Sequence, residues 1–510
     1  MKMTSTFWRG IAAGAGAAVL AICAAAATAP AADAPQWGEA RTRNLVSPET
    51  GLPDSFDPAT GKNIKWSVRL GDSTHSTPVI AAGKVLVGTN NDQPRDPRHQ
   101  GDRGVLMCFD EKDGKFNWQL VVPKRVEDIY LDWPSIGIVS SPVVEGDRVY
   151  VVTNRAEVAC LDIAGMANGN DGPFKDEGRH MTPAGRPALE AGRTDADILW
   201  LFDMASVAHQ HDAAHACVLV HGQFLYVNTC NGVDKTHLKV PEPGAPSLVV
   251  LDKATGRYLA RDRANMGPRT IHSTWSSPGV GEVGGRPLVF FGGGDGLCYA
   301  FEALAPPPAA DGPPAALKEV WRFDCDPAAP RENVHQWQEN RREGPSNISG
   351  MPVFYKNRIY ITAGGDFWHG KPASWLKCID AAASGDITRT GQLWSFTMPS
   401  FCVSTPSIQD GLVYIADAAA NVHCLDAETG RAYWSHKARG ETWASTLVAD
   451  GKVYLATRTG KVVILAAGRQ EKVLSTVDMK SPISGSPVAA NGVLYVTTMT
   501  HLYAVQRTDK

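Results

Sequence analysis

Several absences narrow this 510-residue sequence before any motif is read. It has no excess of one charge: 50 Lys and Arg stand against 53 Asp and Glu, for a net charge of −3. A general nucleic-acid binder needs a basic excess or stripe, so that class is excluded and no nucleic-acid partner is expected. Beyond the N-terminus there is no apolar run long enough to span a bilayer, which excludes a multi-span membrane protein. No C-x-x-C-H occurs, so no c-type haem is attached. Charge is not abundant either, at 20% against 43% apolar, which excludes a disordered chain. What is plentiful is glycine, 49 residues, with 34 prolines, and this points to many tight turns and few long helices. Length alone suggests about three domains.

The N-terminus reads as a secretory signal peptide over residues 1–31. Lys2 and Arg9 form a short positive region, Ile11 to Ala27 is apolar, and small-residue cleavage sites follow at Ala25/Ala27 and Ala29/Ala31. A lipoprotein signal at Cys23 is not expected, because Ile22 sits where a small residue belongs. The mature chain is therefore expected in the periplasm or outside the cell, as a monomer.

Internal repeats decide the fold. One hairpin pattern begins at Ser76 (STPVIAAGKVLVGTN), Ser140, His215, Ser276, Ser349, Ser404, Ala444 and Ser484, eight copies in all. Most copies continue into a third strand ending at Asp, a TG or DG turn, and a fourth strand carrying Trp, as in VHCLDAETGRAYW from Val422. Four antiparallel strands in roughly 40 residues is a propeller blade. The last copy lacks its Trp strand, while Phe56 to Trp66 supplies one ahead of the first hairpin. The reading is an all-β, eight-bladed β-propeller over residues 56–510, closed by the N-terminal strand, with 32–55 as a linker.

In such blades the loops entering strand one, and those joining strands two and three, open on one face. That face collects nine of the 14 histidines together with Trp133, Trp275, Trp337, Trp368 and Trp443. It is the expected ligand face, with Trp133, His209, His211, His215, Trp337, Asp366, Trp368 and His369 as candidate contacts and a small molecule, glycan or protein as ligand. HQHDAAH (His209 to His215) has imidazoles that can hold a transition metal, but its spacing matches no recognised motif and it reads as ordinary loop histidines. Third-strand cysteines Cys108, Cys160, Cys298, Cys378 and Cys424 read as packing residues, leaving Cys217, Cys230, Cys325 and Cys402 as the plausible disulfide partners, pairing open. Trp66, Trp118, Trp200, Trp321, Trp394 and Trp434 fall on fourth strands.

The SPVV…VYV…CLDAxTGxxxW repeat resembles the pyrroloquinoline quinone (PQQ)-type β-propeller repeat family, which includes quinoprotein alcohol dehydrogenases and a propeller lipoprotein of outer-membrane assembly. The resemblance implies that the fourth-strand tryptophans dock blade to blade. In the dehydrogenases PQQ lies in the central channel with Ca²⁺. Carried onto this sequence, the resemblance makes Thr229, Asn231, His272, Trp275, Asp295 and Arg103 the cofactor-binding candidates, with Asn231 and Asp295 as metal ligands. Ser273 and Ser276 stand where the family's two aspartates are expected, and the adjacent cysteines of some members are absent. A serine is neither a hydride-transfer base nor an anionic Ca²⁺ ligand near neutral pH. The favoured expectation is therefore an exported binding or scaffold module, with a divergent PQQ- and Ca²⁺-dependent dehydrogenase and an outer-membrane assembly scaffold as alternatives.

Overall fold

A computed structural model describes residues 32–212, 216–309 and 312–508; the expected signal peptide and His215 lie outside them. Eight sheets, antiparallel apart from a two-residue parallel addition to three of them, form the ring. Blade 1 runs through Val79–Ala81, Lys84–Asn90, Arg103–Asp110 and Phe116–Pro123. Blade 8 takes Val488–Ala490, Val493–Thr497 and His501–Val505 from the C-terminus, and its outer strand is Ile64–Arg69. That strand pairs antiparallel with His501–Val505, Trp66 opposite Ala504, so the chain's two ends share one sheet. No helix among the described residues is long and apolar enough to cross a membrane.

The repeat residues explain why the blades stick together. Each fourth-strand tryptophan donates its indole N–H to a carbonyl beyond the third strand of the next blade. Trp66 reaches Glu111 O (3.0 Å), Trp118 reaches Ile163 O (2.8 Å) and Trp394 reaches Ala427 O (3.1 Å). The turn glycine of that next blade lies flat under the same ring. Gly430 (φ +71°) has no room for a Cβ, which would sit 2.5 Å from Trp394. Deeper in the ring, Ser140 Oγ donates to Ala216 O, Ser276 Oγ to Gly350 O and Ser404 Oγ to Ala444 O, one seam after another. Ser276 therefore makes the same seam bond as Ser140 and Ser404.

Residues 32–52 do not run free to the first blade. They cross the floor of the ring and bond to the inner strand of every blade. Ala34 pairs with Ile80, Val144 N donates to Pro35 O, Val280 N to Arg41 O, Phe354 N to Thr42 O and Val448 N to Leu45 O. Arg43, fully buried, donates to Val218 O (2.7 Å) and Pro278 O (2.8 Å), while Asn44 exchanges two bonds with Ile408. Ser47 Oγ completes the circuit on Ala489 O. Burial pulls the Arg43 guanidinium down to about 10.

The disulfide expectation is corrected. Cys217, Cys230, Cys325 and Cys402 form no disulfide, and the nine described cysteines are all buried thiols. Burial pushes the Cys325 and Cys402 thiols up to about 12, which keeps them in the inert protonated form.

Candidate functional site

Topology brings distant histidines together over the open mouth. His211 and Asp212 precede blade 3, His237 lies between its second and third strands, His272 precedes blade 4, and Asp366 and His369 follow the second strand of blade 5. One ligand nitrogen from each of His211, His237 and His272 falls within a 4.8 Å set, and His272, Asp366 and His369 form a second set of the same size.

The His211 ring is held by its Nδ1 on Val233 O at 2.7 Å, so Nε2 carries the lone pair and points at His237 Nε2, 3.2 Å away. A tetrahedral metal with nitrogens at 2.0–2.1 Å sets neighbouring nitrogens about 3.4 Å apart, so this pair already has the spacing of two ligands on one ion. His272 is buried; its Nδ1 lies 3.2 Å from Asp366 Oδ2, and its Nε2 has no hydrogen-bond partner of good geometry although Asp212 Oδ2 is 3.4 Å away. Asp366 also accepts from Asn347 Nδ2 and from the backbone N–H groups of Trp368 and His369, each at 2.9 Å. A carboxylate behind a histidine is the usual means of fixing a ligand's ring orientation.

The electrostatics divide the four imidazoles, with His237 lowered by burial like His211 and His369, and His272 alone raised. Burial, helped by the neighbouring imidazoles, lowers His211 to about 3 and His369 to about 4, so both are neutral metal-competent bases at pH 7. Burial also opposes charge on His272, but Asp366 and Asp212 outweigh it and raise the ring to about 9. Around these groups stands an aromatic wall. Tyr130 stacks on His211 (5.1 Å, 11°), Trp275 meets His272 edge-on (4.8 Å), and Trp368 meets Trp275 (5.3 Å) and Trp443 (6.2 Å). Trp368 is 43% exposed and faces whatever enters.

Of the sequence candidates, His211, His272, Trp275, Asp366, Trp368 and His369 converge, and Trp133 joins through Tyr130 at 5.3 Å. His209 presents its backbone carbonyl to Gly232 N, and Trp337 ends a short helical turn, Val334–Trp337, with no ring contact to a histidine among the described residues. His237, Asp212 and Tyr130 were not singled out as site residues. The available signal was that His237 lies in a loop on the same face.

The PQQ and Ca²⁺ set fits poorly. Asp295 is taken up by Arg269 (2.7 Å) and by the Tyr299 hydroxyl (2.7 Å). Asn231 donates to Glu242 O with its Oδ1 left unbonded, Thr229 donates to Pro246 O, and Arg103 Nη1 turns back to Asp102 O. Ser273 donates to Cys230 O. No hydrogen bond joins Asn231 to Asp295 among the described residues. The donors that do meet at the mouth are imidazoles, which suit Zn²⁺, Cu²⁺ or Ni²⁺ and not a hard cation such as Ca²⁺.

A closed eight-bladed ring with a histidine-lined mouth is thus the class that fold and site define. A family profile described as outer membrane protein assembly factor BamB matches residues 50–170 and 374–473. In those two stretches the repeats resemble the PQQ-type β-propeller repeat. BamB from Moraxella catarrhalis is similar in structure, with a TM-score of 0.52 at 14% identity over 87% of this chain and 97% of that one. So is the quinohemoprotein alcohol dehydrogenase ADHIIG from Pseudomonas putida HK5, with a TM-score of 0.55 at 12% identity over 94% of this chain and 81% of the other. A europium-containing methanol dehydrogenase gives a TM-score of 0.53 at 12% identity, covering 91% and 89%. At these identities the likeness is one of fold. No curated protein sequence matches the chain.

Proposed function

We propose that this protein is an exported propeller that binds one transition-metal ion at its mouth through His211, His237 and His272, the last giving up its proton as the ion binds, with the fourth position left open. The ion is presented to a small ligand held against Trp275 and Trp368. The observation that carries this reading is the pair of imidazole nitrogens, His211 Nε2 and His237 Nε2, at 3.2 Å. In a metal-free protein one N–H···N bond can satisfy that pair, so binding must be measured. Metal-stripped protein titrated with Co²⁺ is expected to take up one ion per chain and to develop the visible absorption of a four-coordinate site with nitrogen ligands. Zn²⁺ should then displace the Co²⁺. Absence of uptake at micromolar Co²⁺ and Zn²⁺, or uptake unchanged in a His211→Ala/His237→Ala double variant, overturns the reading.

A further inference from the structure

The floor of the ring carries a charge arrangement that is independent of what the mouth binds. Ala32 N donates to Glu49 Oε1 at 2.7 Å, and Gly492 N donates to Glu49 Oε2 at 2.6 Å. Glu49 is only 5% exposed. Both donors to this carboxylate are backbone amides, and no cationic side chain pairs with it among the described residues. Two further carboxylates crowd the same turn of blade 8. Asp33 Oδ1 accepts from Asn491 Nδ2 at 2.8 Å, and Glu111 Oε1 accepts from the same Nδ2 at 3.0 Å and from the Tyr495 hydroxyl at 3.2 Å. Burial, reinforced by the negative charges of Glu111, Asp33 and Glu49, pushes the Tyr495 hydroxyl far upward. One buried carboxylate, Glu49, thus sits beside the half-buried Glu111 and the exposed Asp33 with no cationic side chain paired to any of them among the described residues, an arrangement that favours a positive group at Glu49.

The sequence can supply that group. Ala29-Pro30-Ala31 has small residues in the positions a signal-peptide cleavage site requires, and the next residue is Ala32. Hydrolysis of the Ala31–Ala32 bond adds one water: a carboxylate forms on Ala31, and the amide N–H of Ala32 becomes an ammonium. The nitrogen is already 2.7 Å from Glu49. Ala32 is half-buried, so it is accessible from the solvent side.

We propose that Ala32 is the first residue of the mature protein and that its α-ammonium pairs with Glu49, a latch that forms only after processing. Ala32 and Asp33 also touch blade 1, since Ala82 N donates to Asp33 Oδ2 and Ala34 pairs with Ile80. Glu49 and Asn491 hold the blade 8 side. The latch therefore fastens blade 8 to blade 1, the seam at which the ring closes.

Intact-mass measurement of the exported chain is expected to give an N-terminus at Ala32; an N-terminus at Thr28 overturns the proposal. Chain beginning at Ala32 is then compared with the same chain carrying a Gly-Ser extension. The extension should lower Tm by roughly 2–4 °C, the scale expected for losing one charge-assisted bond. Glu49→Gln should lower the native chain by more than the extended one, which loses one backbone-amide bond but no ion pair. Equal Tm for native and extended chains overturns the latch. A second readout does not depend on stability. Acylation of the Ala32 amine should be about tenfold slower than in Glu49→Gln, as one unit of raised amine pKa dictates, and equal rates overturn the ion pair.

Discussion

Replacing His211, His237 or Asp366 should produce losses of metal affinity in a definite order. Structural zinc sites carry about 10–16 kcal/mol across their ligands, or about 2.5–4 kcal/mol for each of four. At 1.4 kcal/mol per tenfold, removing His211 or His237 should weaken Zn²⁺ binding by roughly 100-fold or more. Asp366 is not a member of the His211, His237 and His272 set; it orients His272 at 3.2 Å and is itself held by three neutral donors at 2.9 Å. Asp366→Asn should therefore cost about 10- to 100-fold, the range for a group that fixes a ligand's ring. Trp368→Ala, at the exposed wall, should leave Zn²⁺ affinity within about threefold. Competition against a chromophoric chelator reads all four, with the melting curve of each metal-free variant as a check on folding. Affinity unchanged in His211→Ala and His237→Ala, or a larger loss in Asp366→Asn than in either, would refute the assignment of these imidazoles as direct ligands.

Further outcomes follow from the fold. Arg43→Ala strips donors from two carbonyls on different blades and empties a fully buried site; unfolding by denaturant should show a loss of about 3–5 kcal/mol. Ser276→Asp, which restores the aspartate of the dehydrogenase pattern, should yield a destabilised protein by roughly 2–4 kcal/mol, because it puts an unpaired carboxylate into a blade seam. It should confer no PQQ binding, which a visible-absorption titration checks. Burial holds His99 below its ordinary value. The unfolded chain then takes up a proton near pH 6.5 that the folded chain refuses, so stability is full above that pH and falls below it, by up to about 1.4 kcal/mol per unit. His99→Gln should flatten the Tm profile between pH 7 and 5; an unaltered slope contradicts the buried neutral imidazole.

The ring was legible because its residues repeat. Period-2 strands, Asp-x-x-x-Gly turns and a tryptophan per blade are local signals, and each meets the same neighbour in the next blade. The mouth was legible only as a face. His211, His237, His272 and His369 come from four loops, and their convergence depends on loop backbone that no spacing encodes; His237 itself sits at φ +59°. Ser276 carries two readings for a related reason. Alignment to a catalytic motif competes with alignment to the repeat, and the seam bond to Gly350 O is the one the repeat makes. Residues 32–52 carry no period at all, since each residue answers to a different blade.

That floor segment also constrains how the molecule comes to be. It is made before any blade, yet its partners include Ile408, Val448 and Ala489, which are made hundreds of residues later. Its circuit cannot be completed at Ser47, nor the strand Ile64–Arg69 paired, until the C-terminal hairpin exists. Assembly therefore runs like a drawstring, threaded first and pulled tight last. The nascent chain must keep part of its leading end unpaired through nearly the whole of synthesis.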